Sequence, residues 1–275
     1  MVGVVDDPHS PPHSPVPGPI PGGPGDGPVR NCVYGRGDRR VSLAMREAIL
    51  SGLSDPVELP HADVAVRYVP AGGDVGLGGD WYEASVLPDG RVLLAVGDVA
   101  GHGMPVISQM MQLRHALLGL SMTGLSADRL LFHLNDLVRY RLDGTTATAV
   151  VGHLDPESGE FTWSQAGHPP PILVRDGVAG QLVSPEGVLL GADEWAYEAA
   201  RVRLREGDLL LLFTDGLVER RHSDIDAGLS LALTHAAALR PGRVEEGLDR
   251  MLAAIGVPNA EDDACLLALT VGARP

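Results

Sequence analysis

Three apolar runs, Val92 to Val96, Leu209 to Phe213 and Ala264 to Leu269, each lie next to an aspartate, and this pairing constrains the fold more than any other feature of the chain. Runs this short and continuous read as strands. An aspartate at the end of a buried strand is costly unless its charge is compensated. The aspartates sit in short acidic stretches: Gly97-Asp98-Val99-Ala100-Gly101-His102-Gly103 after the first run, Thr214-Asp215-Gly216 after the second, and Glu261-Asp262-Asp263 before the third. A fourth stretch, Gly78-Gly79-Asp80-Trp81-Tyr82-Glu83, lies upstream. Several such strand ends converging in one sheet make a cage of hard oxygen ligands. Mg²⁺ or Mn²⁺ suits such a cage better than zinc, because no thiolate and few imidazoles accompany the carboxylates. The chemistry this points to is metal-assisted hydrolysis.

The rest of the chain supplies the frame. Residues 1–30 are dominated by Pro and Gly, which remove donors and raise the ordering cost, so they are expected to form a disordered leader. Residues 31–59 read as a linker carrying a short helix near Val41 to Leu53, where Leu43, Met45, Ile49, Leu50 and Leu53 fall near helical spacing. From residue 60 to 275 a single domain is expected. Its predicted strands are Ala62 to Val69, Tyr82 to Leu87, Arg91 to Val96, Thr146 to Leu154, Gly159 to Gln165, Pro171 to Arg175, Gly180 to Ser184, Tyr197 to Leu204, Leu209 to Phe213 and Ala264 to Val271. Its predicted helices are Pro105 to Leu120, Ala127 to Leu142, Ala227 to Ala238 and Val244 to Ile255. Strands and helices come in runs and do not alternate as βαβ units. The expected class is therefore α+β, with mostly antiparallel sheets and helices on the outside.

Charge and cysteine content narrow the function. The formal charge is -15, from 36 Asp+Glu against 21 Lys+Arg, and no basic block exceeds two residues, which argues against nucleic acid and anionic membrane surfaces as partners. Cys32 and Cys265 are far apart and form no C-x-x-C spacing, so neither a disulfide framework nor a zinc knuckle is expected. No cysteine is read as lying near the acidic stretches, so a cysteine nucleophile is not expected either. No signal sequence or membrane span is legible, and a cytoplasmic location is expected.

Taken in order, Gly-Gly-Asp-Trp-Tyr, Gly-Asp-Val-Ala-Gly-His-Gly before a helix, Ala166-Gly167-His168-Pro169-Pro170-Pro171, the run from Gly207 through Thr214-Asp215-Gly216 to Glu219, and Asp262-Asp263 resemble the sporulation protein E-type branch of the metal-dependent, 2C-like protein phosphatases. The resemblance runs from about Pro60 to Leu269. It implies an αββα sandwich of two antiparallel sheets and a site for two Mn²⁺ or Mg²⁺ ions. It also implies hydrolysis of phosphoserine or phosphothreonine on a protein, commonly an anti-sigma-factor antagonist in bacterial partner switching. Matched position by position, Asp80 and Asp98 are implied as central ligands, with Asp80 a candidate bridge between the ions. The backbone carbonyl of Val99 joins them, and Asp215 and Asp262 complete the shell, with Asp263 a neighbour able to replace Asp262.

Two positions depart from the family pattern: Glu83 where Asp is frequent, and Val106-Ile107 where small residues are frequent. These departures are the only sequence support for an alternative, a catalytically weak member that acts as a binding or scaffold module. A hydrolase of small phosphoesters or nucleotides has no base-binding motif in its favour. His102 and His168 are expected to hold loop backbone, Trp81 and Tyr82 to pack, and Arg114 to lie on a solvated or salt-bridged helix face. Control of activity is expected from another chain, from a homodimer formed through the helix near Val41 to Leu53, or from a further segment.

Overall fold

The computed structural model describes residues 62–70, 78–142, 144–219, 225–256 and 262–272. The predicted leader, the linker helix near Val41 to Leu53 and Glu261 of the third acidic stretch lie outside the described residues.

Each of the three apolar runs forms a strand whose two faces are both covered, which is why the runs are continuous and not alternating. Ten strands form two five-stranded antiparallel sheets. One has the order β1 (Ala62–Val69), β10 (Ala264–Val271), β9 (Leu209–Phe213), β6 (Ile172–Arg175), β7 (Val178–Gln181). The other has the order β2 (Trp81–Val86), β3 (Val92–Val99), β4 (Ala147–Leu154), β5 (Glu160–Ala166), β8 (Ala200–Arg203). Leu94 and Val96 of β3 meet Leu210 and Leu212 of β9 and Leu267 and Leu269 of β10 in the core between the sheets. The alternate residues Leu93 and Ala95 face outward, where α1 (Met104–Ser121) and α2 (Ala127–Arg141) cover them with Met110, Leu113, Leu117, Leu130, Leu131 and Leu134. On the opposite flank, Leu209, Leu211 and Phe213 face α3 (Ile225–Ala236) and α4 (Val244–Ile255) through Ala232, Ala236, Leu248 and Met251. The result is the expected αββα sandwich. A large aliphatic side chain fully buried in it contributes about 1.5–3 kcal/mol, so the three cores hold the frame far more firmly than any single polar contact.

Helix ends follow their sequence signals. Asp128 opens α2, and Arg139 and Arg141 close it, in the sense that the helix dipole favours. Gly256 ends α4 in the left-handed conformation.

Three predicted strands shift by two residues or more at an end. β3 continues through Val99, because Thr148 and Ala147 of β4 extend the ladder opposite Asp98 and Val99, so Asp98 lies inside the strand and not beyond it. β7 begins at Val178 and not at Gly180. Asp176 (φ 53°) and Gly177 (φ 78°) make a two-residue turn that pairs Arg175 directly with Val178, and the chain leaves the sheet after Gln181. β8 is shorter than predicted at four residues, because only Ala200–Arg203 find partners on β5.

Candidate metal centre

The acidic stretches meet at one end of the sandwich. Asp80 immediately precedes β2, and Asp98 is the penultimate residue of its neighbour β3. From the other sheet, Asp215 follows the end of β9 by two residues, and Asp262-Asp263 immediately precede β10. Since β10 lies against β2 and β3 across the interface, both sheets deliver carboxylates to the same edge.

The backbone at this edge is tightly interlocked. The Gly79 carbonyl accepts the Val99 N–H at 3.1 Å, and a Cβ on Gly79 would overlap both the Val99 carbonyl and the Asp98 carboxylate, so only glycine lets these groups approach. Thr214, fully buried, joins the two sheets. Its hydroxyl donates to Asp80 Oδ2 at 2.7 Å and accepts the Cys265 N–H at 2.8 Å. After Thr214 a 3₁₀ turn over Asp215–Leu217 bends the chain, and the N–H groups of Val218 and Glu219 both reach the Asp215 carbonyl at 2.7 Å.

The carboxylates feel one another strongly. Burial pushes Asp98 up to about 7, and Asp215, Asp262 and Asp263 add to the rise. Asp80 acts in the opposite sense and offsets a small part of that rise. Asp80 is pushed well above the usual carboxylate range by burial and then by Asp98, with the Thr214 hydroxyl opposing. Asp262 rises to about 6 through burial and then Asp215. Asp215 is raised by burial and by Glu219, and its Oδ1 is buried with no hydrogen-bond partner. These are the signs of an acidic site whose charges the protein alone does not neutralise. Among the described residues no three side chains are drawn around a single point closely enough to form a finished cage, as expected of like charges facing one another. The donor set nevertheless fits a hard divalent cation: all the side-chain donors are carboxylate oxygens, one of them an orphaned buried atom, and a glycine admits the Val99 carbonyl beside them.

His168 has a structural task. Its backbone N–H donates to Gln165 Oε1 at 2.9 Å, its Nε2 lies 3.0 Å from the Phe213 carbonyl, and its Nδ1 lies 2.8 Å from the Thr148 hydroxyl. A carbonyl can only accept, so Nε2 carries the proton and Nδ1 accepts from Thr148. Burial pushes the ring down to about 3, so it stays neutral while it pins the end of β9 just before Thr214 and Asp215. His102 is exposed in its turn.

Glu83 does not join the carboxylate cluster. It forms a buried ion pair with Arg114 of α1 at 2.9 Å, and Arg114 also donates through Nε to the Tyr82 carbonyl at 3.0 Å. Arg114 is therefore tied up as a salt bridge, as expected, although the pair is buried and not solvated. Val106 and Ile107 are buried against the same core as Trp81 and Val99. Trp81 stacks over Gly97, where a Cβ would strike its ring, and Tyr82 is buried between the sheets, so both are packing residues. One expectation is corrected: a cysteine does lie near an acidic motif, since Cys265 follows Asp263 by two residues. It is fully buried in the core between the sheets with its thiol pushed well up by burial, which leaves no reactive thiolate.

Two residues of the site carried no signal in the sequence. Thr214 was visible only as the neighbour of Asp215. Tyr68, near the end of β1, donates its hydroxyl to Asp263 Oδ2 at 3.2 Å and accepts the Gly78 N–H at 3.2 Å.

Comparison with known proteins points to one family and one fold. The family model for Stage II sporulation protein E (SpoIIE) matches residues 88–272. The chain is 28% identical over 163 residues to the phosphoserine phosphatase RsbU of Bacillus subtilis, covering 58% of this chain and 47% of that protein. It therefore spans about half the length of this curated relative. The solved RsbU and RsbW domains of a Mycobacterium tuberculosis protein superpose with a TM-score of 0.72 at 35% identity, over 80% of this chain and 64% of that one. RsbX, solved in complex with magnesium, shares the fold with a TM-score of 0.60 at 18% identity, over 79% of this chain and 99% of that one.

Proposed function

The chain belongs to the stage II sporulation protein E family, and on that footing we propose that it is a metal-dependent protein serine/threonine phosphatase. The observation that carries the proposal is the convergence of Asp80, Asp98, Asp215 and Asp262 from both sheets onto one edge, with their charges coupled and uncompensated. These four side chains and the Val99 carbonyl would hold Mn²⁺ or Mg²⁺.

Phosphomonoesters are among the slowest bonds to hydrolyse unaided, so the site has to activate a nucleophile and offset charge on the transferred group. What a bound ion pair supplies there is a lowered pKa for the attacking water and compensation of the phosphoryl charge. The protein's own contribution is placement. Thr214 fixes one oxygen of Asp80. Gly79 admits Asp98 and the Val99 carbonyl side by side. His168 holds the strand end that carries Asp215. Glu83 and Val106-Ile107 have structural roles here and lend nothing to a binding-only module.

The substrate proposed is a phosphoserine or phosphothreonine protein, supported by the likeness to a phosphoserine phosphatase, and of the anti-sigma-factor antagonist class that the family resemblance implies. A cytoplasmic site of action fits that class, and among the described residues no helix is long and apolar enough to cross a membrane. Dimerisation through residues 41–53 belongs to the same proposal, and a truncation starting near Pro60 that keeps both oligomeric state and activity would remove it. The substrate class is tested by comparing phosphate release from phosphoserine proteins and from nucleotides at equal concentration with Mn²⁺. Preference for the proteins is expected, and a preference for nucleotides would overturn the reading.

A further inference from the structure

The Asp262-Asp263 pair offers two adjacent carboxylates, and the surroundings of the two differ sharply. Asp263 is buried and held from several sides. Its Oδ2 accepts the Tyr68 hydroxyl, and that same oxygen lies where a Cβ on Gly78 would be. Its backbone N–H donates to Asp262 Oδ1 at 2.9 Å, and its carbonyl lies against Gly216, where a Cβ would overlap it. Asp262 is exposed as a residue, and among the described residues the one hydrogen-bond contact of its carboxylate is with the backbone N–H of Asp263.

Tyr68 is well placed to maintain this asymmetry. It pairs with Cys265 in the β1–β10 ladder, which sets its ring alongside the start of β10. A phenol hydroxyl has one proton and two acceptor positions. The proton goes to Asp263, and one acceptor position takes the Gly78 N–H at the start of the Gly-Gly-Asp turn. One hydroxyl thereby links the strand that carries Asp263 to the turn that carries Asp80.

We infer that Tyr68 is a positioning residue that fixes Asp263 as a strut of the Gly78-Gly79-Asp80 turn. The inference rests on the reading of this edge as a divalent-cation centre. The opposing view is that Tyr68 is a packing residue whose hydroxyl has merely found an acceptor. Tyr68→Phe separates the two, because it keeps the ring and removes only the hydroxyl.

The test titrates Mn²⁺ into metal-stripped full chain by calorimetry, for wild type, Tyr68→Phe, Asp262→Asn and Asp263→Asn, with thermal unfolding of each in chelator. Partners that orient metal ligands are typically worth about 10- to 100-fold in metal affinity. Tyr68→Phe is expected to weaken Mn²⁺ binding about 10-fold, with phosphate release recovered at saturating Mn²⁺, and Asp262→Asn to weaken binding by more than about 100-fold. Asp263→Asn keeps an oxygen for the Tyr68 hydroxyl and is expected to fall between wild type and Asp262→Asn. If Tyr68→Phe binds Mn²⁺ as wild type does, or if Asp263→Asn loses what Asp262→Asn was expected to lose, the inference is overturned and the cation centre stands. A folded wild type that binds no Mn²⁺ overturns both.

Discussion

Replacing Thr214 with Val tests how the two sheets share the site, because the substitution keeps shape and removes a single hydroxyl. That hydroxyl donates to Asp80 and accepts from Cys265 N–H in a fully buried place. Its removal strands a buried backbone donor, at about 1–3 kcal/mol, and takes a hydrogen bond from a carboxyl, at about 1.5–3 kcal/mol. The two costs share one hydroxyl and are not additive, which puts their sum at the low end. The expected destabilisation is about 3 kcal/mol. Thr214→Ser keeps the hydroxyl and loses one methyl, at about 1 kcal/mol. The assay is urea unfolding with chelator present, where a 3 kcal/mol loss moves the midpoint by roughly 1 M for a domain of this size. If Thr214→Val shifts the midpoint no further than Thr214→Ser, the hydroxyl does not join the sheets energetically and the argument fails.

Arg114→Met strands Glu83 as a buried charge and is expected to cost about 3–5 kcal/mol, whereas Arg114→Met combined with Glu83→Gln recovers most of that loss in the same unfolding assay. His168→Leu removes the donor to Phe213 and the acceptor for Thr148, with an expected loss of about 2–4 kcal/mol. Because that ring is neutral down to about pH 3, pH–rate profiles of wild type between 6 and 8 should contain no His168 titration. Asp98 is raised from 3.8 to about 7 on folding, so its contribution to stability is full below the unfolded value and is lost as pH rises toward 7. The three-unit rise corresponds to at most about 4 kcal/mol. His168, lowered to about 3, works in the opposite sense, so the comparison to make is wild type against Asp98→Asn, in chelator, from pH 4 to 8. The difference in stability should shift against wild type as pH rises through that window, and a difference that is flat with pH would contradict the assignment.

The sandwich was legible because its inner strands are covered on both faces. Leu209–Phe213 and Ala264–Val271 are buried at every position, and a continuous apolar run records that directly. The acidic ends were legible for the same reason, since each aspartate interrupts such a run. What the sequence hid were partnerships between distant residues. Thr214 reaches Asp80 across 134 positions and Tyr68 reaches Asp263 across 195, and nothing local marks either hydroxyl as bonded. Glu83 read as a departure near the metal because it follows Asp80 closely, whereas strand geometry sends it to Arg114 on α1. The offset of β7 came from a local signal passed over, the Asp176-Gly177 turn. The extension of β3 through Asp98 depended on its partner strand β4 and could not be read from β3 alone.

The most direct test of the central claim is phosphate release from a phosphoserine protein with Mn²⁺, with Mg²⁺ and with chelator, for wild type, Asp98→Asn and Asp215→Asn, each first checked for fold. The account predicts turnover by wild type with either ion, none in chelator, and a loss of more than about 100-fold in both variants. Turnover that survives chelator, or that Asp98→Asn and Asp215→Asn retain with Mn²⁺, would contradict it.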